Sequence, residues 1–524
     1  MPRAGADWLG ERWSLFALGL LVTVAFMLMS PDFGVTVDEP IRNEFGQYVL
    51  DYLSGRPAEF SRGDRGVFKL YGGLFDTTAA AVHRLADGDI WATRHYVNAA
   101  FGGIGVLAIG LFAARLFGTP AGILTMLLLS LSPRFVGHAM NNPKDAPFAA
   151  LCSVALLGFT LLRPTFPFVT WPRAILIGLA LSLPLNVRPG ALLYWGYLGL
   201  TIAVLYVRAG RWSIGDTAAV GVRVAVITVV MLLAGCVFWP WAQGNPLVRP
   251  FQALADVGRF PWLGRTLFMG TVVIDGRVPP SYVPVWMAIT IPPVVLAGAA
   301  ASIAASITEA RSRLFIGGLW FVVLFPIASA IAFRSTLYNE WRHLLFVYPP
   351  LVVLAALGWL AVWERARVRA FRPIVAALFA LGCAEPLWFM IRNHPYQALY
   401  FNALVGGPKG AAGRFEMAYW GHDLMPPVDW SAELARKAGV PLRITAQGSQ
   451  EGPVRANARR FPSLIDQSAR HGTHHLEVRR LRSRQPVPPH ALHVTRMADG
   501  TLLAAVLAGP KYNDVRSRIE PHLR

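Results

Sequence analysis

Asp38 and Glu39, in the run Val35-Thr36-Val37-Asp38-Glu39-Pro40, follow directly on an apolar stretch of the chain. Charge at a membrane border is costly unless it is solvated or paired, so two adjacent acids there need a reason. A carboxylate in that position can act as a general base on an acceptor hydroxyl; a solvated loop whose acids cap a helix is the plainer reading. A richer stretch lies further on. Ser132-Pro133-Arg134-Phe135-Val136-Gly137-His138 leads into Ala139-Met140-Asn141-Asn142-Pro143-Lys144-Asp145 between two apolar runs. The cations of such a set can hold a phosphate and its amides can orient a polar group, with His138, Asn142, Lys144 and Asp145 as the binding candidates. An interfacial helix with a capping Asn explains one of these residues and leaves the density of donors unexplained.

Arg94 and His95 open another apolar run. Arg94 can pair with Asp38 or Glu39, grip a lipid phosphate, or snorkel to the headgroups. The stretch Tyr338-Asn339-Glu340-Trp341-Arg342-His343 enters a further run. Arg342 and His343 are placed there to meet an anionic leaving group, while the aromatics fit an interfacial belt. Arg188 and Asp275 are weaker candidates. Gly406-Gly407-Pro408-Lys409-Gly410 lacks the phosphate-loop spacing and reads as a turn. No dedicated metal cluster shows, so no cofactor is expected, with a divalent cation left open.

The elements that must position these residues are membrane helices. The chain of 524 residues is 54% apolar and only 15% charged, against about 25% charged in soluble domains. About eleven spans can be drawn, near 13–31, 95–114, 119–137, 146–162, 172–187, 190–207, 217–239, 283–305, 313–333, 343–363 and 373–391. The first reads as a retained span rather than a cleaved signal, because it lacks a small-residue cleavage site. With the N-terminus in the cytoplasm, alternate short loops collect Arg115, Arg163, Arg173, Arg208, Arg211, Arg311, Arg313 and the group Arg365, Arg367, Arg369 and Arg372, as the positive-inside rule requires. That accounts for much of the net charge of +19 and argues against nucleic-acid binding, for which no motif is present. The three cysteines, Cys152, Cys236 and Cys383, lie apart in apolar runs and suggest neither a disulfide framework nor zinc.

The opposite face then holds the loops 32–94 and 240–282 and the whole tail. Residues 1–395 form the membrane domain. Residues 396–524 are expected to form a small extracytoplasmic α/β domain, with a helix near Ser431–Ala438 and strands near Leu442–Ala446, His474–Val478 and Leu502–Leu507. Asp38, Arg94, Lys144, Asp145 and Arg342 all fall on this one face.

Asp38-Glu39 after the first span, Arg94 at the second and the Asn-Pro-Lys-Asp stretch ending at Asp145 resemble the GT-C membrane glycosyltransferases. The resembling group holds the protein O-mannosyltransferases of family 39, the bacterial aminoarabinose transferases of lipid A and the Rgt-like core transferases. Trp341-Arg342-His343 to Pro349-Pro350 resembles the basic-aromatic entry of a later span in that group. The resemblance covers roughly residues 13–400. It implies a polytopic α-helical enzyme moving a hexosyl or pentosyl group, with inversion, from a polyprenyl-phosphate donor to a hydroxyl of an envelope glycan, lipid or protein. The site would face the outside of the bacterial inner membrane. Asp38 would match the base and Glu39 would orient it or the acceptor. Arg94 and Asp145 would match family positions, while Lys144, His138 and Arg342 would meet the leaving phosphate. The tail departs from the O-mannosyltransferases, having no β-trefoil insertion, which leaves the acceptor open. Two rival readings are a transporter or flippase for a lipid-linked sugar and a non-catalytic membrane scaffold. The transporter expects acids near mid-membrane, where Glu385 is the main one. The scaffold leaves the clustered charges unexplained.

Overall fold

The computed structural model describes residues 13–57, 65–162, 166–210, 213–258, 262–308, 310–366, 371–421, 423–466, 472–481 and 486–523. Arg163, Arg211, Arg367 and Arg369, and the side chain of Arg311, lie outside the described residues. The first apolar run is helix α1 (Trp13–Met29), stopped by Ser30 and Pro31. Two juxtamembrane helices, α2 (Glu39–Leu53) and α3 (Leu74–Ala86), fill the following loop. Helix α4 (Ile90–Phe117) is capped by Asp89, whose carboxylate accepts from the Ala92 amide at 2.8 Å, and it ends at Gly118 with φ +97°. Then come α5 (Thr119–Ser130), α6 (Pro133–Asn141), α7 (Asp145–Phe159), α8 (Trp171–Leu185), α9 (Leu192–Ala209) and α10 (Ile214–Ala234). The last begins with a Ser213–Asp216 capping box. After a two-stranded hairpin, β1 (Arg265–Phe268) and β2 (Thr271–Ile274), the bundle resumes. Its remaining helices are α11 (Tyr282–Thr290), α12 (Pro293–Thr308), α13 (Ala310–Ala332), α14 (Tyr348–Arg365) and α15 (Arg372–Arg392).

Seven helices among the described residues are long and apolar enough to cross a membrane, or nine if each of two bent pairs counts as one span. Two shorter apolar helices, α7 and α8, complete the set of segments expected from sequence. The expected third span is broken by 71° between α5 and α6, and the eighth by 115° between α11 and α12. Proline explains both bends, because Pro133 and the Pro292-Pro293 pair cannot donate to the preceding turn. The first bend turns α6 so that all nine of its residues are buried. The chain is an integral membrane protein.

Within lipid there is no hydrophobic drive between helices, so small residues that admit close backbone packing hold the bundle together. A Cβ at Gly358 on α14 would sit 1.8 Å from the Gly298 carbonyl oxygen on α12, and one at Gly105 on α4 would sit 2.8 Å from Ala150 on α7.

The C-terminal region forms the expected small α/β unit. Helix α16 (Met425–Ala438) and helix α17 (Glu451–Ala458) pack on a five-stranded sheet. Its strands are β3 (Leu442–Ala446), β4 (Ile465–Asp466), β5 (Leu476–Arg480), β6 (Ala491–Arg496) and β7 (Leu502–Ala508), ordered β4-β3-β5-β7-β6. The strands β4, β3 and β5 run parallel; β7 and β6 are antiparallel. Its own apolar core starts at Leu424, whereas Tyr396 to Ala418 pack into the core of the bundle.

Candidate active site

Three buried carboxylates, Asp76, Asp145 and Glu340, take arginine partners at one end of the bundle. Asp76, in the first turn of α3, pairs with Arg42 of α2 at 3.2 Å and Arg94 of α4 at 2.8 Å. The approach depends on Gly46, where a Cβ would lie 2.2 Å from the Asp76 carbonyl oxygen. Arg94 is 1% exposed, which removes snorkelling as its role, and its partner is Asp76 rather than Asp38 or Glu39. Neither Asp76 nor Arg42 stood out in the sequence, because each gains its meaning from a partner on another helix.

Asp145 opens α7. It pairs with Arg188, which enters from the tight connection after α8, and with Arg342 at 2.8 Å. Asn142 closes the turn into α7, its side-chain oxygen accepting from the Lys144 and Asp145 amides at 3.1 and 2.8 Å. Its amide nitrogen reaches both Asp145 and the His138 ring at 3.1 Å. Asn142 therefore caps a helix and orients an acid at once. The Lys144 ammonium sits 4.0 Å over the Tyr71 ring, and Arg42 lies 5.5 Å from the same ring, so Tyr71 joins the Asp76 and Asp145 groups. Burial, helped by Arg188 and Arg42 nearby, holds the Lys144 ammonium well below the usual lysine range. His343 lies against Tyr338, ring centroids 4.6 Å apart.

The third carboxylate, Glu340, was passed over in the sequence although its neighbours were not. Asn339 and Glu340 both take positive φ, 53° and 62°. This turns the Glu340 side chain inward to pair with Arg134, to meet His138 at 3.3 Å and to accept from the Tyr419 hydroxyl. Arg134 also stacks on Phe401 at 4.7 Å. His138 is thus bound between Glu340 and Asn142.

Glu39 and Asp38 face different surroundings. Glu39 is 1% exposed; one oxygen meets His95 at 3.0 Å and the other accepts from Thr36 amide and hydroxyl. It fixes the loop that carries Asp38. Asp38 itself precedes α2 without a side-chain capping bond and takes no ion-pair partner among the described residues. It is partly exposed and within electrostatic range of Lys144 and Arg342. Of the candidates read from sequence, Asp38, Asn142, Lys144, Asp145, Arg342 and His343 come together, and Arg188 joins them. Asp275 is exposed at the end of the β1–β2 hairpin, outside the group.

Around Asp76 and Asp145 stand four arginines, Arg42, Arg94, Arg188 and Arg342, with Lys144 and Asp38 beside them, while Glu340 and Glu39 are taken up by Arg134 and His95. The Nε atoms of Arg188 and Arg342 are buried and find no acceptor among the described residues. Among the described residues, no three His, Cys, Asp or Glu side chains are gathered as a metal ion would require.

No family model and no curated protein matches the chain by sequence. Solved structures match it. The oligosaccharyltransferase of Archaeoglobus fulgidus in the apo form aligns over 88% of this chain and 65% of its own, with a TM-score of 0.54 and 10% identity. The same organism's oligosaccharyltransferase AglB, in complex with an inhibitory peptide and a dolichol-phosphate, aligns over 87% and 64%, with a TM-score of 0.51 and 11% identity. ArnT from Cupriavidus metallidurans bound to undecaprenyl phosphate aligns over 96% and 100%, with a TM-score of 0.47 and 15% identity. This chain thus spans just under two thirds of the archaeal proteins' length. It has the GT-C membrane fold.

Proposed function

We propose that this chain is a glycosyltransferase that moves a sugar from a polyprenyl-phosphate donor to a hydroxyl acceptor, with inversion, at the extracytoplasmic face of the membrane. The observation that carries the reading is the excess of cations on Asp145 beside Asp38, which takes no ion-pair partner among the described residues. A lipid phosphate would enter among Lys144, Arg188 and Arg342, and its oxygens would take up the unused guanidinium donors. Anionic charge there would also relieve the low proton affinity of Lys144, since an opposite charge favours the ammonium.

In the reaction, the acceptor oxygen bonds to the anomeric carbon as the bond from that carbon to the phosphate oxygen breaks. Asp38 takes the hydroxyl proton. The phosphate leaves with the bonding pair, and Arg342 and Arg188, preorganised by Asp145, stabilise its added charge in a water-poor site. Inversion needs a single base on the acceptor side, the role assigned to Asp38. The dolichol-phosphate held by one archaeal structure of this fold supports a lipid-phosphate donor. The positive-inside pattern of the short loops supports the orientation.

The test compares cells holding equal membrane amounts of wild-type protein and Asp38→Asn. Polyprenyl-phosphate lipids and envelope glycans are read by mass spectrometry. The expected result is accumulation of one polyprenyl-phosphate sugar and loss of one glycan modification, with transfer down at least about 100-fold. Unchanged pools with the variant folded would remove Asp38 as the base and favour the transporter or scaffold.

A further inference from the structure

The C-terminal domain reaches the site at points that its polar composition does not suggest. The segment Ala418–Gly421 leaves the bundle with φ +50° at its first residue and +85° at its last. These two turns carry Trp420 inward, where it is 2% exposed. Its indole lies 4.6 Å from the Arg342 guanidinium and its ring meets His138 edge-on at 6.0 Å. Its carbonyl accepts from the Val37 amide at 2.9 Å, one residue before Asp38. The same residue therefore touches the leaving-group cation with its ring and the base-bearing loop with its backbone.

Other bonds fix the segment and the loop. Arg480, at the end of β5, donates to the Ala418 carbonyl at 2.8 Å. Asn457 of α17 accepts from the Val35 amide at 3.1 Å. Val35 also packs with Trp91 and Ala456, and a Cβ on Gly34 would lie 2.8 Å from the Met425 side chain. The loop 34–38 is thus held from the domain side by α16, α17 and the Trp420 carbonyl.

We propose that Trp420 is a positioning residue, and that the C-terminal domain clamps the Asp38 loop and the Arg342 guanidinium in register with each other through it. The donor side of this inference rests on the function proposed above; the clamp itself does not. An indole face holds a guanidinium by its quadrupole and limits its swing, which phosphate coordination by a fixed fork requires. The clamp also explains why a domain with its own core is tied to the bundle by backbone bonds.

The experiment uses the purified full-length chain in nanodiscs, as wild type, Trp420→Ala, Trp420→Phe and Arg480→Gln. Amide hydrogen exchange is followed in residues 34–42, with β3 as an internal control, and affinity is measured for undecaprenyl phosphate. In Trp420→Ala, exchange at 34–42 rises at least about tenfold, β3 stays protected, and phosphate affinity falls about tenfold. Trp420→Phe restores most of the affinity because it keeps an aromatic face. Arg480→Gln, which leaves the indole in place, loosens the loop to a smaller extent and serves if the alanine variant does not fold. Unchanged exchange at 34–42 in folded Trp420→Ala and Arg480→Gln would overturn the clamp, as would equal phosphate affinity in the alanine and phenylalanine variants. Faster loop exchange without any wild-type affinity for undecaprenyl phosphate would keep the clamp and remove the donor reading.

Discussion

Asp145 and Glu340 are both 1% exposed, yet they do opposite things. Glu340 is matched: one arginine, one histidine and one tyrosine meet its two oxygens. Asp145 is outnumbered, with Arg188 and Arg342 directly on it and Lys144 beside it. A matched buried carboxylate is a joint, here between α6, the turn before Arg342 and the segment leading into the C-terminal domain. An outnumbered one leaves positive charge to spend on something else. The positive charge gathered on each acid, rather than burial or the number of partners, separates the proposed binding site from the structural joint.

Asp145→Asn should give the largest effect. Removing one partner of a buried ion pair costs about 3–5 kcal/mol. Here it also releases both guanidinium groups proposed to meet the leaving phosphate. Glycan product should fall by at least about two orders of magnitude, together with a clear drop in the melting temperature of the detergent-solubilised protein. Glu340→Gln should give a similar loss of stability, roughly 3 kcal/mol, while affinity for undecaprenyl phosphate changes less than about threefold. If both variants lose phosphate affinity equally, the distinction between joint and site collapses.

A separate effect, on stability alone, concerns a carboxylate in the C-terminal domain. Asp423 is fully buried, and burial pushes its carboxyl up to about 7, with Arg480 opposing. A raised folded value means the native state holds the proton more tightly than the unfolded chain, whose carboxyl titrates near about 3.9. Asp423 therefore withdraws stability as pH rises from about 4 to about 7, and the loss is complete above that window. Asp423→Asn should stabilise the domain at pH 8 and change it little at pH 4, as read by thermal unfolding at both pH values. Greater loss of stability in the variant at pH 8 than at pH 4 would reverse the assignment.

The helices were legible because hydropathy over some twenty residues is a local signal. Their breaks were not read, although Ser132-Pro133 and Pro292-Pro293 mark them. The strands β3, β5 and β7 were legible too, as short apolar runs in a polar tail, and so was the end of α16. In the site, Lys144, Asp145 and Arg342 stood out by density of charge at span ends. Asp76 and Arg42 did not, because each gains meaning only from a partner 18 or more residues away; Arg134 stood out within its stretch, but its partner Glu340 did not. Trp420 was hidden for the same reason: nothing near it in sequence says that its neighbours are Val37 and Arg342.

The most direct measurement compares undecaprenyl phosphate with undecaprenol for binding to the purified wild-type chain in nanodiscs. The two lipids share a tail and differ only in the anion. Charge-assisted hydrogen bonds are worth about 1.5–3 kcal/mol each, so the phosphate should bind at least about tenfold more tightly, and Arg342→Ala should abolish the difference. Equal affinity for the two lipids would contradict the central claim, because the cations around Asp145 would then hold no phosphate.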